Sequence, residues 1–464
     1  MNPEKVSAVG LPVWALLPAI LLVLLLSAYQ ARRAGSVPAS FLIVAVGMRS
    51  ALAAAHVYTY KASPLGLSWN ALASVAICAA GLLVIRRRPG LGRIVMPLAP
   101  IILVMAVSAV ANGDIAQASS ALIKFAYFGV LAVLAYQATD DVGAARLMGL
   151  LLPVALIPLG FQILGVPLGL TKAGEIDGSA SYIGGFNHEA AYSMLLVTAV
   201  LVTCFADRVR FPIRLALLLW CVAGLLAANY RTSILGAAPL AAVTLLVALT
   251  RLFVPDQRKL AGAFVAAVVA LGLTGMAVTS QERFADLGVI YEKGFDIIQP
   301  PTTLSTEDRR LLSGRPAIWS RYIYAWDEGE AWQKVVGFGP ESWSGVMDIY
   351  AHNTLVSALY EIGIVGVLAM LILWGGFLGM AALAPPDIRW KLISAHLSFI
   401  LLNMATMPMW MIEGMIFYAL LCGLTAHYAA RARRSQRDSR PAGSGAVDLS
   451  GRRYPADTAR RSGL

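Results

Sequence analysis

The sequence has little charge and few chemically reactive side chains. Charged residues make up only 14% of the 464 residues. The five histidines are scattered, at positions 56, 188, 352, 396 and 427. All four cysteines lie inside apolar stretches: Cys78, Cys204, Cys221 and Cys422. This pattern excludes a disulfide framework, a zinc site with clustered ligands and a highly charged disordered chain.

The sequence is instead rich in apolar residues. Hydrophobic residues make up 58% of the chain and the mean hydropathy is +0.70. A soluble chain of this size could not bury so many apolar residues, because a large part of its surface must stay in contact with water. A spanning helix needs roughly 17–25 apolar residues, so we predict an all-α, polytopic helical membrane protein of about 13 spans (roughly 12–14) in a lipid bilayer. The predicted spans are 11–29, 37–55, 67–85, 94–111, 121–138, 145–165, 189–206, 213–229, 233–250, 260–279, 353–378, 390–407 and 409–429.

The net charge of +11 is distributed in a way that indicates membrane topology rather than nucleic-acid binding. Basic residues gather in alternate loops, which predicts that these loops are cytoplasmic, with the N-terminus outside and the C-terminus inside. These segments are Arg32–Arg33, Arg86–Arg93, Arg146, Arg208–Arg214, Arg251–Lys259, Arg389–Lys391 and Arg431–Arg437.

The same reading divides the chain into five parts. They are the N-terminal helices (1–180), helices with a short-loop arginine (181–280), a large and partly helical outer loop (281–352), the C-terminal helices (353–430) and a disordered basic cytoplasmic tail (431–464). Four of the ten tryptophans lie in the outer loop: Trp319, Trp326, Trp332 and Trp343. Either they form an interfacial aromatic belt, or they form a platform for sugar rings.

Two arginines on the predicted outer side depart from the charge bias. Arg315 stands where Pro316 favours a helix start, and a cation there is unfavourable unless an anion binds beside it. The alternative is an exposed arginine that pairs with Glu307 or Asp308. Arg231 lies in a very short outer turn, where Thr232 or Ser233 could cap the next helix. An anionic ligand would explain both arginines.

His352 lies where the long loop re-enters the membrane. An ordinary interfacial histidine is one interpretation, and a general base that accepts a proton from a sugar hydroxyl is the other. Within the spans, Glu361 is nine residues after His352, and we expect it to pair between helices with Arg49 or Lys124 rather than to orient the imidazole.

Several motifs together resemble one family. His352-Asn353 followed by Gly363-Ile364-Val365-Gly366 is similar to the histidine motif of the O-antigen ligase and polysaccharide polymerase superfamily. The upstream motifs occur in that family's order: Gly185–Ala191, Asn229–Ser233, Ser313–Trp319 and Gly337–Gly339.

The resemblance implies an integral membrane glycosyltransferase of GT-C architecture in the bacterial inner membrane, with its site facing the periplasm. Such an enzyme takes a glycan from undecaprenyl pyrophosphate and passes it to an acceptor hydroxyl, on another repeat unit or on a lipid A core. The implied mechanism is inverting and needs neither metal nor cofactor. Arg231 and Arg315 would bind the pyrophosphate and His352 would be the base. Further candidates for substrate binding are Asn187, His188, Asn353, Trp319 and Arg321. Other partners would be polysaccharide assembly and export proteins.

One motif departs from the family's pattern, and two other functions remain as alternatives. His188-Glu189 replaces the more usual Asn-Pro-Asn type of segment, so His188 could act in catalysis or in acceptor binding. A transporter or flippase for lipid-linked sugars is the alternative function, although we find no internal repeat of the kind that transporters have. A purely structural subunit is the third interpretation.

Overall fold

The computed structural model shows a bundle of α-helices. It describes residues 10–173, 180–251, 253–264, 266–267, 294–305 and 311–438, together with residues 271, 292 and 309. In chain order the helices are α1 Val13–Ala34, α2 Val37–Ala54, α3 His56–Thr59, α4 Trp69–Val84, α5 Gly92–Asn112, α6 Ile115–Val142, α7 Ala144–Ala155, α8 Ile157–Gly165, α9 Glu189–Phe205, α10 Phe211–Ala227, α11 Arg231–Thr250, α12 Arg315–Asp327, α13 Ala331–Val336, α14 Thr354–Ala382, α15 Pro386–Ala405 and α16 Ile412–Asp438. Two short strands, β1 Lys172–Ala173 and β2 Ala180–Ser181, pair antiparallel.

The length and composition of the helices are those of a membrane protein. Among the described residues, 8 helices are long and apolar enough to cross a bilayer. They are Val13–Ala34, Val37–Ala54, Gly92–Asn112, Ile115–Val142, Ala144–Gly165 (α7 and α8 taken together), Thr232–Thr250, Thr354–Ala382 and Ile412–Ser435. Shorter apolar helices are Trp69–Val84, Glu189–Phe205 and Phe211–Ala227. The chain is therefore an all-α membrane protein, as its composition predicts.

Within the described residues, the predicted spans coincide with helices, with two differences. The span predicted at 145–165 is broken into α7 and α8, because Pro158 sits at the start of α8 and cannot continue the preceding hydrogen-bond ladder. The last helix continues to Asp438, so residues 431–438 are helical rather than part of a disordered tail. Most of the predicted span 260–279, the predicted helix start at 306–308 and the tail 439–464 lie outside the described residues.

The centre of the bundle is the pair α6 and α16. In the most apolar stretch of α16, 89% of the residues are buried inside the protein. Tyr418 of α16 lies between two parallel rings, 5.5 Å from Phe128 and 4.0 Å from Phe399. Gly423 allows α16 to approach the backbone of α6 at Ala135, a contact that a larger side chain would block.

The arginine-rich loops meet at one end of the bundle, called here the basic end. Their contacts are Arg146 Nη2 donating to the Arg33 carbonyl at 3.0 Å, Arg88 with Asp141 at 2.6 Å, Arg434 with Asp140 at 3.9 Å, Lys391 with Asp207 at 3.1 Å, and Arg251 Nη2 donating to the Asp387 carbonyl at 3.4 Å. The segments predicted to share one side of the membrane therefore share one end of the fold. Because consecutive helices alternate in direction, the turns before α9, α11 and α14 lie at the opposite end.

Candidate functional site

His352 lies immediately before α14, in a backbone conformation that side chains rarely adopt. Its φ is 53°, in the left-handed region. The next residue, Asn353, caps α14: its Oδ1 accepts from the backbone N–H groups of Leu355 at 2.9 Å and Val356 at 3.3 Å. Its Nδ2 donates to the Met404 carbonyl at 3.1 Å. Asn353 therefore fixes the chain direction at His352, and this is the role the structure gives it.

The imidazole of His352 is partly buried and lies near positive charge. Its ring lies tilted against the ring of Tyr350, with centroids 4.0 Å apart and an angle of 36° between the planes. Its Nδ1 is buried and has no hydrogen-bond partner among the described residues. Burial, followed by the positive charge of Arg315 and by His188 when that ring is protonated, lowers the pKa of His352 to about 4. The ring is therefore neutral at physiological pH and able to accept a proton.

Arg315 is brought to His352 by α12. Gly314 adopts a φ of 80° before the helix, and Pro316 occupies its first turn, so the predicted helix start at Arg315–Pro316 is confirmed. Along α12, the indole N–H of Trp319 donates to the Ala351 carbonyl at 2.9 Å. The hydroxyl of Tyr322 donates to the Ile349 carbonyl at 2.9 Å. Two side chains of the helix thus hold the residues that lead into His352.

The two arginine segments also meet. Arg315 Nη2 donates to the hydroxyl of Thr232 at 3.4 Å, although 83 residues separate them in the sequence. Arg231 is the first residue of α11 and precedes Thr232 directly, while its side chain lies outside the described part of the chain. The expectation that Thr232 or Ser233 caps α11 is wrong. The N-cap of α11 is Tyr230, and no side-chain hydrogen bond caps the helix there. The Thr232 hydroxyl accepts a hydrogen bond from Arg315 instead.

His188 also lies near His352, since it acts on the pKa of that residue. It is the N-cap of α9, and its Nδ1 accepts from the backbone N–H of Ala190 at 3.1 Å. A neutral ring that accepts at Nδ1 carries its hydrogen on Nε2, so His188 is a hydrogen-bond donor in this tautomer. The adjacent Glu189 pairs with Lys172 at 2.8 Å, and both side chains are largely buried. Asn187, partly buried, directly precedes the cap.

Three further candidates have structural partners. The indole of Trp319 binds the Ala351 carbonyl, and Asn353 caps α14. Arg321 pairs with Asp348 at 3.2 Å on the surface, where 50% and 90% of the two side chains are exposed. Their part in substrate binding stays a prediction, whereas Arg315, His188 and His352 are brought together.

Sequence reasoning missed how the outer loop is anchored. Gly363 has φ 69° and ψ −169° and breaks α14, and the segment after α13 packs into this break. There the N–H groups of Phe338 and Gly339 donate to the Tyr360 and Glu361 carbonyls at 3.0 and 2.9 Å. The Gly337–Gly339 motif was visible in the sequence, but nothing there shows that it packs against Gly363.

The expected pairing of Glu361 is also wrong. Its carboxylate accepts from the Ser357 hydroxyl and from the backbone N–H of Glu341. Lys124 pairs with the Glu341 side chain. Arg49 pairs with Glu413 at 2.6 Å. The break at Gly363 opens α14 to the loop, so a loop N–H reaches Glu361 in place of a cation from another helix.

The site therefore combines permanent positive charge with a neutral imidazole, at the end of the bundle away from the basic loops. Such an arrangement suits an anionic group beside a hydroxyl that loses a proton. Within the described residues, no three side chains of His, Cys, Asp or Glu lie close enough together to hold a metal ion. In comparisons with known proteins, no family model matches the chain and no curated protein is detectably similar to it in sequence.

Proposed function

We propose that this protein transfers a glycan from undecaprenyl pyrophosphate to an acceptor hydroxyl during the assembly of a cell-surface polysaccharide. One observation carries the proposal: Arg315 contacts Thr232, next to Arg231, and lies near enough to His352 to lower its pKa. Three segments far apart in sequence thus supply the groups that the reaction needs. The motifs that resemble those of O-antigen ligases and polysaccharide polymerases support the same function.

The arginines would act on the leaving group. A lipid pyrophosphate leaves readily once its negative charge is neutralised, and a guanidinium does this through two parallel hydrogen bonds. Arg315 sits at the first residue of α12, where the helix dipole adds positive potential. We assign pyrophosphate binding to Arg315 and Arg231.

His352 would act on the acceptor. The acceptor hydroxyl loses its proton to the neutral imidazole as its oxygen bonds to the anomeric carbon of the donor sugar. The bond from that carbon to the pyrophosphate oxygen breaks, and the pyrophosphate leaves with the electron pair. Attack opposite to the leaving group inverts the anomeric centre, without metal or cofactor. An anion bound between Arg315 and His352 raises the pKa of the imidazole, which makes it a stronger base when the donor is present.

The membrane setting of this reaction is part of the proposal. We place the chain in the bacterial inner membrane as a GT-C protein with roughly 12–14 spans. Its basic end faces the cytoplasm, and the site of His352 faces the periplasm. There the lipid-linked donor would meet either a second lipid-linked repeat unit or a lipid A core, alongside polysaccharide assembly and export proteins.

The test is a reconstituted assay with undecaprenyl-pyrophosphate-linked repeat units. Longer lipid-linked chains would identify a polymerase, and transfer that requires added lipid A core would identify a ligase. Substrate that crosses the bilayer with no new glycosidic bond would establish a transporter and overturn the proposal. We expect transfer to continue in EDTA; loss that a divalent ion restores would remove the metal-free mechanism.

Variants test the three residues. Arg231→Lys and Arg315→Lys should each reduce transfer strongly, because lysine is a point charge without the planar fork. His352→Ala should remove the base. Arg210→Lys, an exposed change at the basic end, is the matched control. A wild-type rate in any one of the three variants would remove that residue from the mechanism.

A further inference from the structure

A second polar site lies at the basic end, away from His352. An open cleft of about 480 Å³ separates the turn between α1 and α2 from the ends of α4 and α6. Its polar lining comes from Arg32, Ser36, Ser40, Arg86 and Asp141. The cleft is large enough for the headgroup of a phospholipid and plays no part in the proposed transfer reaction.

The cleft carries a net positive charge. Among the described residues, the guanidinium groups of Arg32 and Arg86 have no ion-pair partner. The only carboxylate in its lining, Asp141, is already neutralised by Arg88 at 2.6 Å and accepts from the Ser36 hydroxyl at 2.6 Å. The lining therefore offers two uncompensated cations, and an anion would complete it.

The surroundings favour a lipid over a soluble anion. Val37, which lines the cleft, is 54% exposed, and Leu83, three residues before Arg86, is 89% exposed. In a membrane protein such exposed apolar side chains face acyl chains. The cleft is thus polar and positive at its opening and apolar beside it, which matches the two parts of a phospholipid. Basic pockets between helices at the cytoplasmic surface commonly hold anionic headgroups.

We infer that this cleft binds the phosphodiester headgroup of an anionic phospholipid, between Arg32 and Arg86. The acyl chains lie along the exposed side chains at the start of α2 and the end of α4. The site does not depend on the proposed transfer activity, and it anchors the turn between α1 and α2 at one leaflet.

The experiment uses the full chain, purified and stripped of lipid. Native mass spectrometry with phosphatidylglycerol and with phosphatidylcholine of the same acyl chains measures the preference for the anionic headgroup. We expect the wild type to prefer phosphatidylglycerol by about tenfold or more. The double variant Arg32→Gln/Arg86→Gln should lose this preference. The control Arg208→Gln/Arg210→Gln, with the same charge change at the same end, should keep it.

Two results would overturn the inference. One is a double variant that prefers phosphatidylglycerol as strongly as the wild type does. The other is complete displacement of the lipid by inorganic phosphate or glycerol 3-phosphate at equal concentration, which would identify a site for a soluble phosphate. If the double variant does not purify as a single species, Arg32→Gln and Arg86→Gln are measured separately. A wild-type preference in both single variants would reject the assignment.

Discussion

The indole of Trp319 donates a hydrogen bond to the carbonyl of Ala351, the residue immediately before His352, over 2.9 Å. This bond joins the helix that carries Arg315 to the segment that carries the proposed base. Tyr322 makes a second bond of this kind, to Ile349. These two bonds fasten α12, which begins with Arg315, to the segment that leads into His352.

Trp319→Phe should therefore lower transfer while leaving the fold intact. The change keeps an aromatic ring but removes the N–H, and one hydrogen bond is worth about 0.5–1.5 kcal/mol, so we expect a roughly two- to twelvefold loss in rate. The measurement is the initial rate in the reconstituted assay. Trp332→Phe is the control, because Trp332 is 40% exposed and bonds only the nearby Glu330 among the described residues. Equal rates in the two variants would show that the Trp319 bond does not position the site.

The pKa of His352 gives a prediction for pH. Burial and the charge of Arg315 lower this pKa to about 4, so the neutral base persists down to about pH 4 and is lost below it. Arg315→Gln removes a charge that opposes protonation, so the pKa should rise toward the ordinary value of about 6.5. Modification of the His352 peptide by diethyl pyrocarbonate, followed by mass spectrometry across pH, reports the neutral fraction. A midpoint near 6.5 in the wild type, or no upward change in the variant, would contradict the prediction.

The helices and the start of α12 were predictable because their signals are local. A run of about twenty apolar residues specifies a span by itself, and Gly314 with Pro316 specifies a helix start. The arginine pattern also predicted which loops gather at one end. Each of these depends on residues close together in the sequence.

The contacts across the site were not predictable, because they depend on how helices pack. Nothing near Arg315 indicates that Thr232 accepts its hydrogen bond, and nothing near Glu361 indicates that the backbone of Glu341 reaches it. Gly363 looks like a residue of a continuous apolar helix, and its role depends on the 337–339 segment that packs against it. The sequence predicted that Arg49 or Lys124 would pair with Glu361, but the two cations pair with Glu413 and Glu341.

Gly363→Ala should destabilise the protein. At φ 69° and ψ −169° the backbone occupies a region open essentially to glycine alone, and an added methyl group would collide with the Val335 carbonyl. We expect a loss of about 1–3 kcal/mol in the free energy of unfolding. Gly375→Ala is the matched control in the same helix, since its methyl group meets no atom within 4 Å and alanine favours helix. Thermal unfolding in detergent compares the two, and equal midpoints would show that the break at Gly363 tolerates a side chain.

Removing one partner of the Arg49–Glu413 pair should destabilise the protein far more than removing a surface pair. Only 5% and 4% of these side chains are exposed, so Arg49→Met leaves a carboxylate buried without its cation, at a cost of about 3–5 kcal/mol. The double variant Arg49→Met/Glu413→Leu should recover part of that loss, because no charge is then buried. Asp348→Asn, which breaks the exposed pair with Arg321, should cost less than about 1 kcal/mol. Unfolding midpoints in one detergent compare all three, and a double variant less stable than Arg49→Met would show that the pair holds α2 and α16 together by more than charge neutralisation.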